Sequence, residues 1–468
     1  MSKKIYVSII VLLLSVYVQA QHLTGHFPVY AGQPVGLSVY NGFKSDAFAK
    51  DTVDSLGNFV LTYPADYRGV AFLQFGQSDG IEVLLNGETD FSLNGSSLQD
   101  LDSLQCKGNE PTRELYTFYK EQQARERALA GWKYLESTYR DVPYFQSSKK
   151  EKLLSREISQ LEKEKEQFIR RQGNENYLAW YLPLVSLVRD IPMSVQHYRE
   201  RIPEHISFFM HTDFCDDRFW HSGLFPVLLD KYFFMIENMG KPQDSMYVEM
   251  NRSTDYLIEN IRSGKPEWLE EASLFLFKLF ERRSLFAAAE HLSLSLLHMP
   301  GVPLSDDARN RFEGYRDMKK GNTAHDIDFI GTKALKTKTG TTISDQYLKG
   351  YNTLSEIDSK YKLVIFGEGG CLDCWRQVQK ISFMYQDLQQ YEIEVVYVSL
   401  DTDIADFEQV ASNYPWLSYF DGKGWEGKLV QDYHVFASPT IYLLGDDLKI
   451  LYKVVSPEHL EAIMKVLE

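Results

Sequence analysis

The spacing of apolar positions changes character twice along the chain. From residue 21 to about 104, short apolar runs are cut by turn-forming residues. Strands are predicted at Val35–Tyr40, Gly57–Tyr63, Val70–Phe75, Ile81–Leu85 and Phe91–Leu93, with turn dipeptides at Asn86-Gly87 and Asn94-Gly95. Their regular spacing predicts a small antiparallel β-sandwich. From 105 to about 320 glycine thins out and helical spacing takes over. Leu154, Ile158, Leu161, Lys165 and Phe168 fall on one heptad-like stripe with a single charged member, and the charges of residues 162–166 suit the outer faces. Further helices are predicted at Tyr177–Asp190, where Pro183 should kink or shorten the run, and at Leu224–Met239, Met246–Ile261 and Ser284–His298. Roughly eight helices are expected in this region.

From Gly321 onward, strand and helix patterns alternate. Tyr361–Phe366 and Ile393–Leu400 read as buried strands. Cys371–Gln390 reads as a helix whose inner face is Cys374, Val378, Ile381, Tyr385 and Leu388. A shorter helix at Asp403–Tyr414 follows. Strands at Thr440–Leu444 and Ile450–Val455 turn at Gly445-Asp446-Asp447, and a helix at Glu458–Leu467 closes the chain. Apolar strands flanked by helices predict an α/β sheet covered on both faces. The expected fold class is therefore multi-domain: an all-β sandwich, an all-α middle region and a C-terminal α/β domain.

The first twenty residues add a location. Lys3 and Lys4 precede the apolar run Ile5–Val18, and Val18-Gln19-Ala20 has the form of a cleavage site, so residues 1–20 are expected to be a secretory signal. The apolar run is shorter than the roughly 20 residues of a membrane span, so no stable membrane anchor is expected. Cleavage leaves 448 of 468 residues, enough for about two to four domains. The net charge is −15, or −17 without the two leader lysines, and no Lys/Arg stripe is interleaved with aromatic residues. Nucleic acid is therefore not an expected partner. His197, His205, His211 and His221 lie near Asp213, Cys215, Asp216 and Asp217, but none of these histidines form a His-x-x-x-His pair. They read as solvated or packing residues, so neither a metal nor a cofactor is expected.

Only four cysteines occur, which does not make a disulfide-stapled scaffold. Cys106 and Cys215 read as small buried hydrophobes, with a structural disulfide between them as the alternative. Cys371 and Cys374 differ: they follow the apolar run Leu363–Phe366 and open a helix, and Ser438-Pro439-Thr440 stands 64 residues past Cys374, just before another apolar run. This is the layout of a thioredoxin-like redox site. Two intervening residues bring both sulfurs together on the first helical turn, where free N–H groups stabilise a thiolate.

Residues 321–468 resemble the TlpA/ResA group of thioredoxin-like proteins, in the lead-in Gly321–Phe329, in Cys371-Leu-Asp-Cys374 and in Tyr433–Thr440. The two regions before them, 21–104 and 105–320, resemble accessory domains found ahead of such domains in Gram-negative envelope proteins. The resemblance implies roles. Cys371 matches the attacking cysteine, Cys374 the resolving one, and Pro439 a cis-proline facing the pair. Ser438 then offers its backbone to a substrate peptide. It further implies a periplasmic thiol–disulfide oxidoreductase that works on protein thiols or disulfides, more as a reductase, with an upstream redox partner. The sequence departs from the pattern in having Glu368-Gly369-Gly370 before Cys371, no proline between the cysteines, and Gln377 where many relatives carry Glu. Glu368 is a candidate substitute proton acceptor, and Asp373 should oppose thiolate formation. The alternative function is a partner-binding envelope protein whose thioredoxin-like domain is structural. A peroxidase lacks its threonine, since Glu368 holds that position, and a zinc site lacks a second ligand pair.

Overall fold

The computed structural model describes residues 20–77, 79–87, 90–141, 148–173, 176–283, 285–336 and 351–467, with only the backbone for Arg140, Asp141, Ser148 and Asp373. The expected secretory signal lies outside the described residues except for Ala20. The chain forms two compact units, Met1–Pro242 and Gln243–Glu468.

Among the described residues of the first unit, eight strands form two four-stranded sheets. They are β1 (Ala20–His26), β2 (Pro34–Asn41), β3 (Lys44–Thr52), β4 (Asn58–Pro64), β5 (Gly69–Phe75), β6 (Asp79–Leu85), β7 (Phe91–Asn94) and β8 (Gln105–Lys107). One sheet runs β4-β1-β7-β8 and the other β3-β2-β5-β6. Alternation places Phe59, Leu61 and Tyr63 of β4 and Val35, Leu37 and Val39 of β2 in a shared core. One pairing departs from the antiparallel expectation: β1 and β7 run parallel.

Among the described residues, six α-helices complete this unit: α1 (Glu110–Asp141), α2 (Ser148–Arg171), α3 (Tyr177–His197), α4 (Ile202–Phe209), α5 (Asp217–Trp220) and α6 (Leu224–Glu237). On α2, Leu154 and Phe168 are buried, while Lys165 reaches Asp190 on α3 at 2.8 Å. Asn176 caps α3 by accepting the Leu178 N–H, and the helix continues through both Pro183 and Pro192. The lost backbone bonds are offset by a nearly continuous buried face that includes Tyr181, Leu182, Leu184, Leu187 and Ile191. Cys106 is buried with its Sγ on the Asn109 carbonyl, and burial pushes its thiol up to about 11. Cys215 is half-exposed rather than buried, and no disulfide joins it to Cys106.

The second unit begins with α7 (Gln243–Gly264), α8 (Leu269–Arg282), α9 (Phe286–His298) and α10 (Asp306–Asp317). It continues as β9 (Lys333–Leu335), β10 (Tyr361–Gly367), α11 (Leu372–Phe383), α12 (Tyr385–Gln390), β11 (Ile393–Ser399), α13 (Ile404–Ala411) and β12 (Leu417–Phe420). It ends with α14 (Lys428–Asp432), β13 (Thr440–Gly445), β14 (Ile450–Val454) and α15 (Pro457–Met464). The sheet order is β14-β13-β10-β11-β12-β9. Parallel β10–β11–β12 is flanked by antiparallel partners on both sides. Alternate residues feed two cores. Leu363, Ile365, Val395 and Leu443 pack with Val378, Ile381 and Leu388 of α11 and α12 and with Leu460 of α15. On the other face Val364, Phe366, Val396 and Tyr442 pack with Phe329, Leu354 and Tyr433. This is the expected α/β sheet, covered on both faces.

Helices α8–α10 pack onto the same sheet. Lys453 of β14 holds its ammonium 3.7 Å from Glu281 Oε1 of α8 and over the Tyr315 and Phe286 rings, at 4.6 and 5.1 Å from their centroids. The Tyr315 hydroxyl donates to the same Glu281 oxygen at 2.8 Å. Burial depresses the Lys453 pKa, and Glu281 opposes that shift.

Candidate active site

Cys371 and Cys374 are joined as a disulfide at the start of α11, with their Cα atoms 5.2 Å apart. Cys371 is the N-cap of the helix and its Sγ accepts the Cys374 N–H at 3.3 Å. An orphan N–H of the first turn therefore points at the sulfur on which negative charge would develop. Cys371 is half-exposed, Leu372 beside it is 58% exposed and Cys374 only 6%. The helical period explains the difference. Cys374 begins the inner stripe that continues through Val378 and Ile381, whereas Cys371 sits at the rim.

The loop before β13 faces this pair. The Ser438–Pro439 peptide is cis, and the Ser438 carbonyl oxygen lies 2.9 Å from Cys374 Sγ. Ser438 Oγ accepts the Glu368 N–H at 3.2 Å, which ties this loop to the one that carries Cys371. The four residues singled out from sequence, Cys371, Cys374, Ser438 and Pro439, thus stand together although 64 positions separate Cys374 from the serine.

Three further residues hold the loop Glu368-Gly369-Gly370. Asp401, buried at the end of β11, accepts the Gly369 N–H through Oδ1 at 2.9 Å and the Ser399 hydroxyl through Oδ2 at 2.8 Å. A Cβ on Gly369 would come within 2.8 Å of Val410, so only glycine lets the loop approach α13 this closely. Glu368, the candidate proton acceptor, turns its Oε2 to the Trp425 indole N–H at 3.1 Å. Burial, followed by Tyr414, Asp401 and Glu368, raises the neighbouring Tyr397 well above the usual tyrosine range and keeps it neutral. The Asp373 side chain lies outside the described part of the structure. Sequence reasoning did not find Asp401, Ser399 or Trp425. The available signal was position, because ligand and catalytic sites in α/β sheets gather beyond the carboxyl ends of the strands, where Asp401 stands.

Cavities open on both sides of the disulfide. One, of about 480 Å³, is lined by Gly369, Gly370, Leu372, Trp375 and residues of α13. The other, of about 470 Å³, has Ser438, Pro439, Gln377, Phe286 and Lys453 in its walls.

Residues 358–450 match a family model described as thioredoxin-like, which is the class that the sheet and the cysteine pair define. No curated protein matches the chain. Among solved structures, a thioredoxin-like protein from Bacteroides caccae is similar at 14% identity over 57% of this chain and 94% of that one, with a TM-score of 0.39. The thioredoxin domain of a thiol-disulfide oxidoreductase from Bacteroides vulgatus is 20% identical over 32% of this chain and 99% of that one, with a TM-score of 0.26. A thiol:disulfide interchange protein from Bacteroides sp. is 19% identical over 32% and 90%, with a TM-score of 0.25.

Proposed function

We propose that the chain is a thiol–disulfide oxidoreductase of the TlpA/ResA type acting on protein substrates in the periplasm. The observation that carries this reading is the asymmetry of the pair: a half-exposed Cys371 sulfur at a helix N-terminus, and a buried Cys374 sulfur 2.9 Å from the Ser438 carbonyl. In the reducing direction the Cys371 thiolate attacks a substrate disulfide, forming a mixed disulfide and expelling one substrate thiolate. Cys374 then gives up its proton and attacks Cys371 Sγ. The Cys371–Cys374 bond closes and the second substrate thiolate leaves. Two electrons pass to the substrate, and an upstream dithiol partner must restore the pair. The helix N-terminus favours the attacking thiolate, and Ser438 and Pro439 would offer backbone for strand-like pairing with the substrate. The reducing direction rests on the resemblance to TlpA/ResA proteins. The periplasmic setting rests on that resemblance and on the leader pattern of residues 1–20. No helix among the described residues is long and apolar enough to cross a membrane.

Equilibrating the protein with glutathione and dithiothreitol buffers tests the proposal. A potential near about −270 mV supports a reductase, and one near about −120 mV an oxidant. Cys371→Ser should abolish exchange, and Cys374→Ser should trap mixed disulfides with substrate proteins. If Cys371→Ser keeps activity, the assignment fails. If the pair forms no disulfide in solution, the domain is structural and the chain is a binding protein.

A further inference from the structure

The cavity of about 480 Å³ lies between the first turn of α11 and α13, and its size is within the range of ligand pockets. Gly370 and Leu372, the two chain neighbours of Cys371, both line it. Its apolar wall is Leu372, Trp375 and Val410. Leu372 is exposed although apolar, and it stands beside the sulfur that meets a substrate. Trp375 is half-buried and packs in part on the core of this face of the sheet.

The polar part of the wall carries one sign of charge. Among the described residues, Asp406 is the single charged side chain that lines the cavity, exposed in the first turn of α13. Its carboxylate has no hydrogen bond or ion pair among the described residues. The helix N-terminus favours an acid at this position but leaves both oxygens open. The neighbouring carboxylates are engaged. Asp401 holds the Gly369 N–H and the Ser399 hydroxyl, Asp403 accepts the Ala405 N–H at 2.7 Å, and Glu368 accepts the Trp425 indole N–H. No basic residue lines the cavity to offset Asp406.

We infer that this cavity seats the residues next to the reacting cysteine of a protein substrate, and that it selects an apolar residue together with a Lys or Arg. The inference rests on the oxidoreductase reading proposed above. Once Cys371 Sγ bonds a substrate sulfur, the substrate residues on either side stand one Cα step, about 3.8 Å, from the bonded cysteine. They therefore come against Gly370 and Leu372. An apolar side chain there covers Leu372, Trp375 and Val410, and a cation meets Asp406. An acidic neighbour would instead face Asp406 as a like charge, so the site selects by exclusion as well as by attraction. Asp406 is solvated, so its share is modest, about two- to fivefold in rate. The apolar contact should add about fivefold.

Four disulfide-linked peptide dimers test this on the reduced full chain. They are alike except that the cysteine is flanked by Leu and Arg, Leu and Glu, Ser and Arg, or Ser and Glu. Each turnover oxidises Cys371 and Cys374 to their disulfide and reduces one dimer to two peptide thiols, which are counted at low salt. The Leu/Arg dimer should react fastest and the Ser/Glu dimer slowest. Asp406→Asn should remove most of the preference for Arg over Glu, and Asp406→Lys should lower it further. Asp387→Asn removes the same charge from α12, beyond the far end of α11 from Cys371, and should keep the preference. That control separates a local contact from attraction to a chain of net charge −15. Each preference is a ratio within one protein, so a loss of folded material does not imitate the result. The inference is overturned if Asp406→Asn and Asp387→Asn show the same Arg-over-Glu ratio, or if the Leu and Ser dimers react alike. If no dimer reacts with the parent chain, the oxidoreductase reading itself fails and this inference falls with it.

Discussion

Asp401 shows what a single buried carboxylate contributes to the redox loop. Its two oxygens split between the Gly369 N–H and the Ser399 hydroxyl, so it links the end of β11 to the segment that carries Cys371. Asp401→Ala would take the acceptor from a partly buried Gly369 N–H, at a cost of roughly 1 kcal/mol, and free the loop. Asp401→Asn keeps an acceptor for Gly369 without the charge. We expect the alanine variant to slow thiol exchange and displace its pH profile, and the asparagine variant to recover most of the rate. Equal and unchanged profiles would mean that Asp401 does not position the loop. His205 offers a second residue-scale test. It is buried with Nε2 2.8 Å from Ser194 Oγ, and burial lowers its pKa from 6.5. Below pH 6.5 the unfolded chain therefore binds a proton that the folded chain refuses, and stability falls until the pH reaches the folded value. Urea midpoints should drop between pH 7.5 and about 5. The drop should shrink in His205→Gln, and an undiminished drop would remove His205 as its source. The cysteines and Ser438–Pro439 were legible because their chemistry requires a fixed spacing and chain order. Asp401 was not, because a lone aspartate after an apolar strand acquires meaning only when the fold brings Gly369 to it.

Among the elements, those with a buried stripe were legible. Cys374, Val378, Ile381, Tyr385 and Leu388 are all buried as the period required, although the expected single helix breaks at Met384 into α11 and α12. The strands missed were those whose pattern carries no apolar alternation. β3 is polar and exposed along most of its length, β1 presents Gln21, Leu23 and Gly25 inward, and β12 is a four-residue segment buried on both faces. Gly314 in α10 belongs to the same lesson. A Cβ there would come within 2.6 Å of His434 Cβ and 3.1 Å of the Phe436 ring, so the glycine lets α10 lie against the loop that leads to Ser438. Two effects compete in Gly314→Ala. Helix propensity should stabilise by about 1 kcal/mol, and overpacking should destabilise by about 1–3 kcal/mol. His434 is fixed, with Nε2 3.4 Å from Asp317, and Phe436 lies under the Arg311 guanidinium, so neither yields freely and the clash should win. We expect a lower unfolding midpoint together with altered exchange kinetics. A stabilised variant with parental kinetics would show that the loop adapts at no cost to the site.

At the scale of the whole molecule, the change of pattern at Gly321 and the division of compact units at Pro242 are different boundaries. Periodicity reports which face of a helix is buried, not which surface buries it. The apolar faces of α8–α10 therefore could not reveal that they close over β14 and the loop before Ser438. This gives a direct comparison. Residues 321–468 alone retain the disulfide and the six-stranded sheet but lose Phe286, Tyr315 and Met318, which leaves Lys453 without Glu281 and exposes Tyr442. Each large apolar side chain that stays in the fragment and loses its cover, Tyr442 first, costs roughly 1.5–3 kcal/mol. With Lys453 also left without its carboxylate, the loss is significant against a stability of roughly 5–15 kcal/mol. Residues 243–468 alone keep every one of these contacts. Thermal unfolding of the two fragments should therefore give a cooperative transition near that of the full chain for 243–468, and a much lower or non-cooperative one for 321–468. Thiol exchange should follow the same order. If the shorter fragment is as stable and as active as the longer, the four helices are a separate body resting on the sheet, and the wall they lend to the cavity beside Pro439 is dispensable for exchange.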